Sequence, residues 1–322
     1  MRVRILSSDS VRAAIDMPVA IDVMREAFGA LAAGEATVPV RVVLETSHGV
    51  SLFMPAHLKE RDSAGVKIVS VNEGNAQSGL PVIHAVVIVL DTLTGCPIAL
   101  MDGTWLTALR TGAVGGLAAD LLARKEAATV ALFGAGVQAR TQLEAVRCVR
   151  DITEVRVVSR TTKSAQDLAG ELSGVDAISL DDPDEAVAGA DIIITATSSS
   201  TPVFNGALVG PGTHVTGVGS FTTEMREVDA TLVERARVIV DHKEAALEEA
   251  GDIVGPIRDG LISEDVIAGE IGDIVLGRIA GRTEPEEITY FKSVGNAVQD
   301  VAVAARVLSV AEAEELGEIF DL

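Results

Sequence analysis

The stretch Thr129-Val-Ala-Leu-Phe-Gly-Ala-Gly-Val-Gln-Ala-Arg140 decides the fold. The apolar run from Ala128 to Phe133 has the length and composition of a strand buried in a parallel sheet. It ends in Gly134-x-Gly136-x-x-Ala139 and passes into Thr141-Gln-Leu-Glu-Ala-Val-Arg147, which has helical spacing. Strand, glycine turn and helix come in the order that a dinucleotide pyrophosphate needs. Gly134 allows the tight turn, Gly136 lets the backbone approach the phosphates, and the small Ala139 lets the helix pack on the strand. Free amides at the helix start then face the anion. Gly134, Ala135, Gly136, Val137 and Gln138 are therefore expected to contact a dinucleotide cofactor.

Outward from this turn the texture is strand-helix alternation. Strands are expected at 128–133, 154–159, 190–195, 214–218 and 238–241, with helices around 138–150, 162–172, 182–188 and 228–235. That pattern is an α/β doubly wound parallel sheet. Acidic helical segments follow Leu247, then a strand over 285–291 and a last helix over 297–308. The Ala/Val face of that helix needs a partner, which we expect in the N-terminal part.

The N-terminal part reads differently. Two helices span 9–15 and 17–33; Ser8 or Asp9 can cap the first, and Asp16 the second, with Pro18 in its first turn and Gly34 as its stop. Strands over 38–45, 51–55, 65–72, 84–91 and 96–102 are separated by turn residues such as Ser78-Gly-Leu-Pro81 and Thr94-Gly95. Such short spacing suggests an antiparallel sheet or half-barrel. A helix over 107–122 has a face of small residues. The expected division is residues 1–112 plus 297–322 as one domain and 113–296 as the Rossmann domain.

The chain has 322 residues, 48% of them hydrophobic, and a formal net charge of -21. It can bury large cores, and its charge disfavours nucleic acid and anionic membrane partners. No run is apolar for long enough to span a bilayer: Val82 to Leu90 is interrupted by His84 and ends at Asp91. The N-terminal apolar run is too short for a signal peptide. The two cysteines, Cys96 and Cys148, build no disulfide framework, and a reducing, cytoplasmic setting fits. Basic residues are mostly Arg, a pattern that both a halotolerant source and a high-GC genome produce. The histidines share no spacing for a metal site, and no metal is expected.

Several residues could carry chemistry. Lys67 sits in the apolar strand Gly65-Val-Lys-Ile-Val-Ser-Val71, a costly place unless it has a partner or a task. A desolvated lysine has a lowered pKa and can relay protons or bind a substrate carboxylate. An edge strand pointing Lys67 to solvent is the plainer alternative. Arg110 and Thr111, in Thr107-Ala-Leu-Arg-Thr-Gly112, suit a carboxylate or the cofactor pyrophosphate, and Arg41 is a weaker case of the same kind. His84 lies in an apolar strand, where a satisfied core histidine is the plainer reading and a substrate contact the other. Ser159-Arg-Thr161 stands where NAD sites usually put Asp or Glu. Arg160 with hydroxyls would hold a 2′-phosphate, so NADP(H) is preferred and NAD(H) is the alternative. Thr195-Ala-Thr197 and Val218-Gly-Ser220 end two strands and are expected to border the nicotinamide, unless they are ordinary turn residues.

Met54-Pro-Ala-His57, Gly65-Val-Lys67, Gly79-Leu-Pro81, Thr94-Gly95, Ala108-Leu-Arg-Thr-Gly112, the glycine turn, Val218-Gly219 and Ser293-Val-Gly295 occur in that order. Together, across almost the whole chain, they resemble the ornithine cyclodeaminase/mu-crystallin family. The resemblance implies a Rossmann domain inserted in an α+β dimerisation and substrate domain. It implies a homodimer whose sheets combine into a barrel, and chemistry at a small-molecule amino or imino acid. Lys67 matches the family's catalytic lysine. Arg41 and Arg110 match positions that hold the substrate carboxylate or cofactor phosphates, and Ser293 belongs to a motif near the cofactor.

One departure separates the subfamilies. Cyclodeaminases and archaeal-type alanine dehydrogenases carry an aspartate after the Val-Gly motif, and here Phe221 stands in its place. Phenylalanine cannot act as a general base. Cyclodeaminases also hold a distal ammonium with an acid near the Met-Pro segment, where this chain has Leu52 and Phe53. The pattern is similar to the imine-reductase branch, which reduces Δ1-pyrroline-2-carboxylate or Δ1-piperideine-2-carboxylate to proline or pipecolate. An alanine dehydrogenase-type enzyme, an ornithine cyclodeaminase and a non-enzymatic NADPH- or ligand-binding protein are the alternatives.

Overall fold

The structure, a computed structural model, describes residues 1–59 and 61–322. The chain divides into two compact units: Met1–Arg110 with Asn296–Leu322, and Thr111–Gly295.

The first unit is built on one sheet. Its strands in chain order are β1 (Arg2–Leu6), β2 (Ala36–Thr37), β3 (Val42–Thr46), β4 (Gly49–Leu58), β5 (Ser63–Val71), β6 (Ile83–Asp91) and β7 (Pro97–Asp102). A C-terminal strand, Glu318–Asp321, completes it. The spatial order is C-terminal strand, β1, β7, β6, β5, β4, β2, with β3 also paired to β4. Pairing from β4 to β7 is antiparallel, as the short turns require, whereas β1 joins β7 in parallel. The alternation is strict. Met54 on β4, Lys67 on β5, Val87 on β6 and Met101 on β7 form one cross-strand row, and all four are buried. This face packs under the helix Ala297–Ala313, which also contacts helix α2. A Cβ on Gly65 would meet Val301 Cγ2 at 3.5 Å, so helix and strand are in close contact.

Helices α1 (Ser8–Ala14) and α2 (Met17–Ala32) precede the sheet. Asp16 caps α2 by accepting from the Val19 amide at 3.0 Å, with Pro18 in the first turn. Ser7 caps α1, one residue before the expected Ser8 or Asp9. The expected strand over 38–45 is cut short. Pro39 has no N–H to donate, and regular pairing starts only at Val42. Arg41 consequently sits in a loop. Helix α3 (Gly103–Leu122) begins in this unit, and the division falls within it after Arg110.

The second unit is a doubly wound parallel sheet. Its strands are β8 (Thr129–Phe133), β9 (Glu154–Val158), β10 (Asp176–Ser179), β11 (Ile192–Thr195), β12 (His214–Gly217), β13 (Arg237–Val240), β14 (Ile267–Glu270) and β15 (Thr289–Lys292). Their order is β10-β9-β8-β11-β12-β15-β13-β14, and every pairing is parallel. Strand order reverses between β8 and β11, the switch point at which open sheets take ligands. Both faces are covered, which is why these strands read as continuous apolar runs. Val130 and Leu132 pack into one cluster with Leu143, while Ala131 and Phe133 pack into the other with Phe204. The short strands β10 and β14 lack a distinctive run, so the sequence does not signal them.

Candidate active site

The first unit gathers charge around one carboxylate. Lys67 is 1% exposed and its Nζ lies 2.8 Å from Asp300 Oδ2. Arg110 Nε donates to Asp300 Oδ1 at 3.1 Å, and its Nη1 donates to Gln299 Oε1 at 2.8 Å. Gln299 is itself held by the helix start. Its Oε1 accepts from the Asn296 amide at 3.0 Å, while Asn296 Oδ1 accepts from Val298 N, which completes a capping box. The cap therefore fixes the residue that orients Arg110.

Burial pushes the Lys67 ammonium down to about 8, and the charges of Arg110 and Arg41 push the same way, against the pull of Asp300. Arg41, half-buried in its loop, thus reaches Lys67 electrostatically. Lys67 and Arg110 both bind one carboxylate, Asp300. Two cations on one carboxylate leave positive charge over for an anion. The solvent-facing alternative for Lys67 is excluded by its burial.

His84 is a correction to the core reading. It is exposed on β6, opposite Ser70 and on the other face from Ala85, Val87 and Val89. Alternation along the strand therefore places it on the face away from the Lys67 row. Val42, Leu44 and Val86 are also exposed and share the face of His84 by register, Val43 is exposed as well, and the helix Ala297–Ala313 packs on the Lys67 face.

In the second unit the glycine turn has the shape for a dinucleotide. Gly134 has φ +110°, and a Cβ there would meet Ala196 O at 2.5 Å. Only glycine satisfies both conditions. Gly136 has nothing within 4 Å of a Cβ position and is the N-cap of helix α4 (Val137–Val149), with no side-chain cap. An open backbone and uncapped helix amides fit a pyrophosphate. Ala135, Val137 and Gln138 complete the turn, with Val137 exposed. At the end of β9, Ser159 is half-buried while Arg160 and Thr161 are exposed, and Thr161 Oγ1 caps the following helix by accepting from Ser164 N at 3.2 Å.

Several expected cofactor hydroxyls turn inward, which corrects their roles. Thr195 Oγ1 donates to Glu227 Oε2 at 3.0 Å, Ser220 Oγ to Met225 O at 2.8 Å, and Ser293 Oγ to Asp241 Oδ2 at 2.7 Å. All three residues are at most 3% exposed, so their side chains serve the protein. Thr197 also donates to Glu227, through both N and Oγ1. Ala196, Val218 and Gly219 keep their strand-end places, with Val218 N donating to Thr195 O at 3.0 Å. Thr111 is buried in α3, and its carbonyl accepts from Gln142 Nε2 at 2.5 Å. Sequence reasoning missed Asp300, Gln299, Glu227 and Asp241. A lone acid in the Ala/Val-rich stretch Ala297–Ala313 was the available signal for Asp300.

A cavity of about 630 Å³ near Arg235, Arg237 and Glu286 lies at the amino ends of β13 and β15, away from the glycine turn. Both arginines already donate to backbone carbonyls there.

Fold and site define a two-unit α/β protein with a dinucleotide-type turn and a buried lysine centre. The family model for the ornithine cyclodeaminase/mu-crystallin family matches residues 2–315, and the chain belongs to that family. The Δ1-pyrroline-2-carboxylate reductase of Bacillus cereus is 40% identical over 306 residues, 93% of this chain and 94% of that protein. The structure of Thermococcus litoralis Δ1-pyrroline-2-carboxylate reductase in complex with NADH and L-proline is similar at TM-score 0.95 and 38% identity, over 98% of this chain and 99% of that one. An archaeal alanine dehydrogenase dimer with bound NAD is similar at TM-score 0.95 and 37% identity, over 100% of both chains.

Proposed function

We propose that the protein is an oxidoreductase that reduces a cyclic ketimine, Δ1-pyrroline-2-carboxylate or Δ1-piperideine-2-carboxylate, to proline or pipecolate. The observation that carries the reading is the Lys67 ammonium, buried with Arg110 on the carboxylate of Asp300. Excess positive charge suits a substrate with one carboxylate. Arg110 and Arg41 hold that carboxylate, and Lys67, or a water it orders, gives the imine nitrogen its proton. The protonated nitrogen makes the ring carbon electrophilic. The nicotinamide, when bound, supplies the hydride to that carbon. The proton joins nitrogen and the hydride joins carbon, which leaves a secondary amine.

Phe221 separates the alternatives. It is 42% exposed in the turn after β12. Glu224 of the same turn is exposed and bound to the Thr223 hydroxyl, and Glu227 is buried against backbone amides. No residue in this turn is placed as a free base for water, which argues against hydrolytic release of ammonia. The preferred cofactor is NADP(H), on the strength of Arg160 where a carboxylate would repel a 2′-phosphate; NAD(H), which two of the similar structures hold, is the alternative. A homodimer fits the exposed apolar residues Val42, Val43, Leu44 and Val86, and the archaeal relative is a dimer. Cys96 and Cys148, both exposed and neither in a disulfide, fit a reducing cytoplasm.

The test is oxidation of reduced cofactor with Δ1-pyrroline-2-carboxylate, in parallel with pyruvate plus ammonia and with ornithine plus NAD. Fast oxidation with the cyclic imine alone supports the reading. Oxidation only with pyruvate and ammonia would replace it with an alanine dehydrogenase. Cofactor binding without turnover on any of them would point to a binding protein.

A further inference from the structure

Glu227 is fully buried in the second unit and accepts hydrogen bonds from four residues. Its Oε2 takes Thr195 Oγ1 at 3.0 Å, Gly219 N at 2.7 Å and Ser220 N at 3.2 Å. Its Oε1 takes Thr197 N at 2.6 Å and Thr197 Oγ1 at 2.8 Å. Three of these five donors are backbone N–H groups, which can only donate, so the pattern is that of an ionised carboxylate. Burial, with Asp252 adding to the push, raises the Glu227 carboxyl above its ordinary value, and Lys292 and the Thr197 donors only partly oppose the rise. Lys292 Nζ lies 2.8 Å from Asp252 Oδ2, and both are fully buried. Asp252 also accepts from the Glu227 backbone amide at 2.6 Å. One cation thus serves two carboxylates, and one negative charge is left.

The placement of that charge matters. Thr195 ends β11 and Thr197 follows it, and Gly219 and Ser220 follow β12. Both segments lie at the carboxyl ends of adjacent strands, beside the switch point where a dinucleotide lies. Gly219 is glycine because a Cβ there would overlap Thr197 O and approach Glu227 Oε1 to 2.5 Å. The two loops are closed onto one carboxylate with no room to spare.

We infer that Glu227 is a positioning residue that fixes the two strand-end loops beneath the nicotinamide and sets a fixed negative charge there, favouring the oxidised, cationic ring over the reduced, neutral one. The inference rests on the reading of this unit as the nicotinamide cofactor's, and it extends that reading to the redox balance of the bound cofactor. A fixed charge in a water-poor site acts more strongly than in solvent.

The experiment is a titration of oxidised and reduced cofactor, in the form that the wild type binds, on wild type and Glu227→Gln. Reduced cofactor is followed by its fluorescence and oxidised cofactor by displacement. Glu227→Gln is expected to weaken the oxidised form by about tenfold relative to the reduced form. A merely structural residue would weaken both by the same factor, and that result overturns the inference. Glu227→Asp keeps the charge and shortens the reach, so both affinities should fall together with their ratio kept. Should Glu227→Gln fail to fold, Thr197→Val takes its place. It removes one donor and no charge, and is expected to weaken both forms alike, whereas unchanged affinities would overturn the positioning role. No imine is needed, so failure of the ketimine reading leaves this test intact.

Discussion

Lys67 Nζ lies 2.8 Å from Asp300 Oδ2, and neither side chain is more than 1% exposed. A buried pair of this kind is costly to break from either side. Asp300→Asn removes the carboxylate that the Lys67 ammonium and Arg110 share. We expect a loss of about 3–5 kcal/mol in stability, the usual effect of stranding a buried charge. Chemical denaturation measures it. Stability unchanged within about 0.5 kcal/mol would mean that the pair does not hold the site together.

Lys67→Met removes the proton donor and keeps the bulk. Turnover on the cyclic imine should drop by about 10²–10⁴-fold, the usual worth of a positioned general acid. Cofactor affinity should change little, because the glycine turn belongs to the other unit. Activity within a few-fold of wild type would remove Lys67 from the mechanism.

The pH dependence follows from the Lys67 ammonium, lowered from 10.5 to about 8. Reduction needs the protonated form, so kcat/KM for the imine should fall as pH rises through about 8. Oxidation of the amine needs the neutral form and should rise over the same range. The stability consequence has the opposite sign to that of a lysine whose pKa a partner raises. Between about 8 and 10.5 the unfolded chain binds more protons at this residue than the folded one. Stability therefore rises with pH across that window. Lys67→Met should lack this contribution, and denaturation of both proteins at several pH values isolates it.

How much of the molecule is legible in its sequence depends on whether a signal is local. The Rossmann strands are legible because a sheet covered on both faces needs unbroken apolar runs, and Ile192–Thr195 is one. The glycine turn is legible because Gly134 and Gly136 have local reasons to be glycine. β1 and the C-terminal strand are not, since each is short and pairs only with strands remote in sequence. Asp300 is hidden for the same reason: Lys67 announces a need for a partner, but nothing nearby says which carboxylate meets it. The threonine and serine hydroxyls mislead because a strand end shows where a side chain is and not which way it turns. Glu227, eight residues beyond Gly219, claims them.

The two turn glycines should part company on substitution. Gly134→Ala places a Cβ 2.5 Å from Ala196 O at φ +110°. Strain and overlap together should cost about 2–4 kcal/mol in stability. Gly136→Ala meets nothing within 4 Å and has an ordinary φ of -81°. It should leave the melting temperature unchanged and weaken the dinucleotide, whose phosphates need that open backbone. A Gly136→Ala protein with full cofactor affinity would place the pyrophosphate elsewhere.

Cofactor choice tests the end of β9. Arg160 is exposed there, with Ser159 and Thr161 beside it, and the helix cap already occupies the Thr161 hydroxyl. Recognition of a 2′-phosphate would therefore fall mainly on Arg160 and Ser159. Arg160→Ala should weaken NADPH by about tenfold or more, since a hydrogen bond to a charged group contributes about 1.5–3 kcal/mol. NADH, which lacks the phosphate, should lose far less. Arg160→Asp should go further and favour NADH, because a carboxylate repels the phosphate and accepts from the ribose hydroxyls. The titrations need only fluorescence of the reduced cofactors. Equal losses for NADPH and NADH in Arg160→Ala would assign the arginine to the adenine that both share.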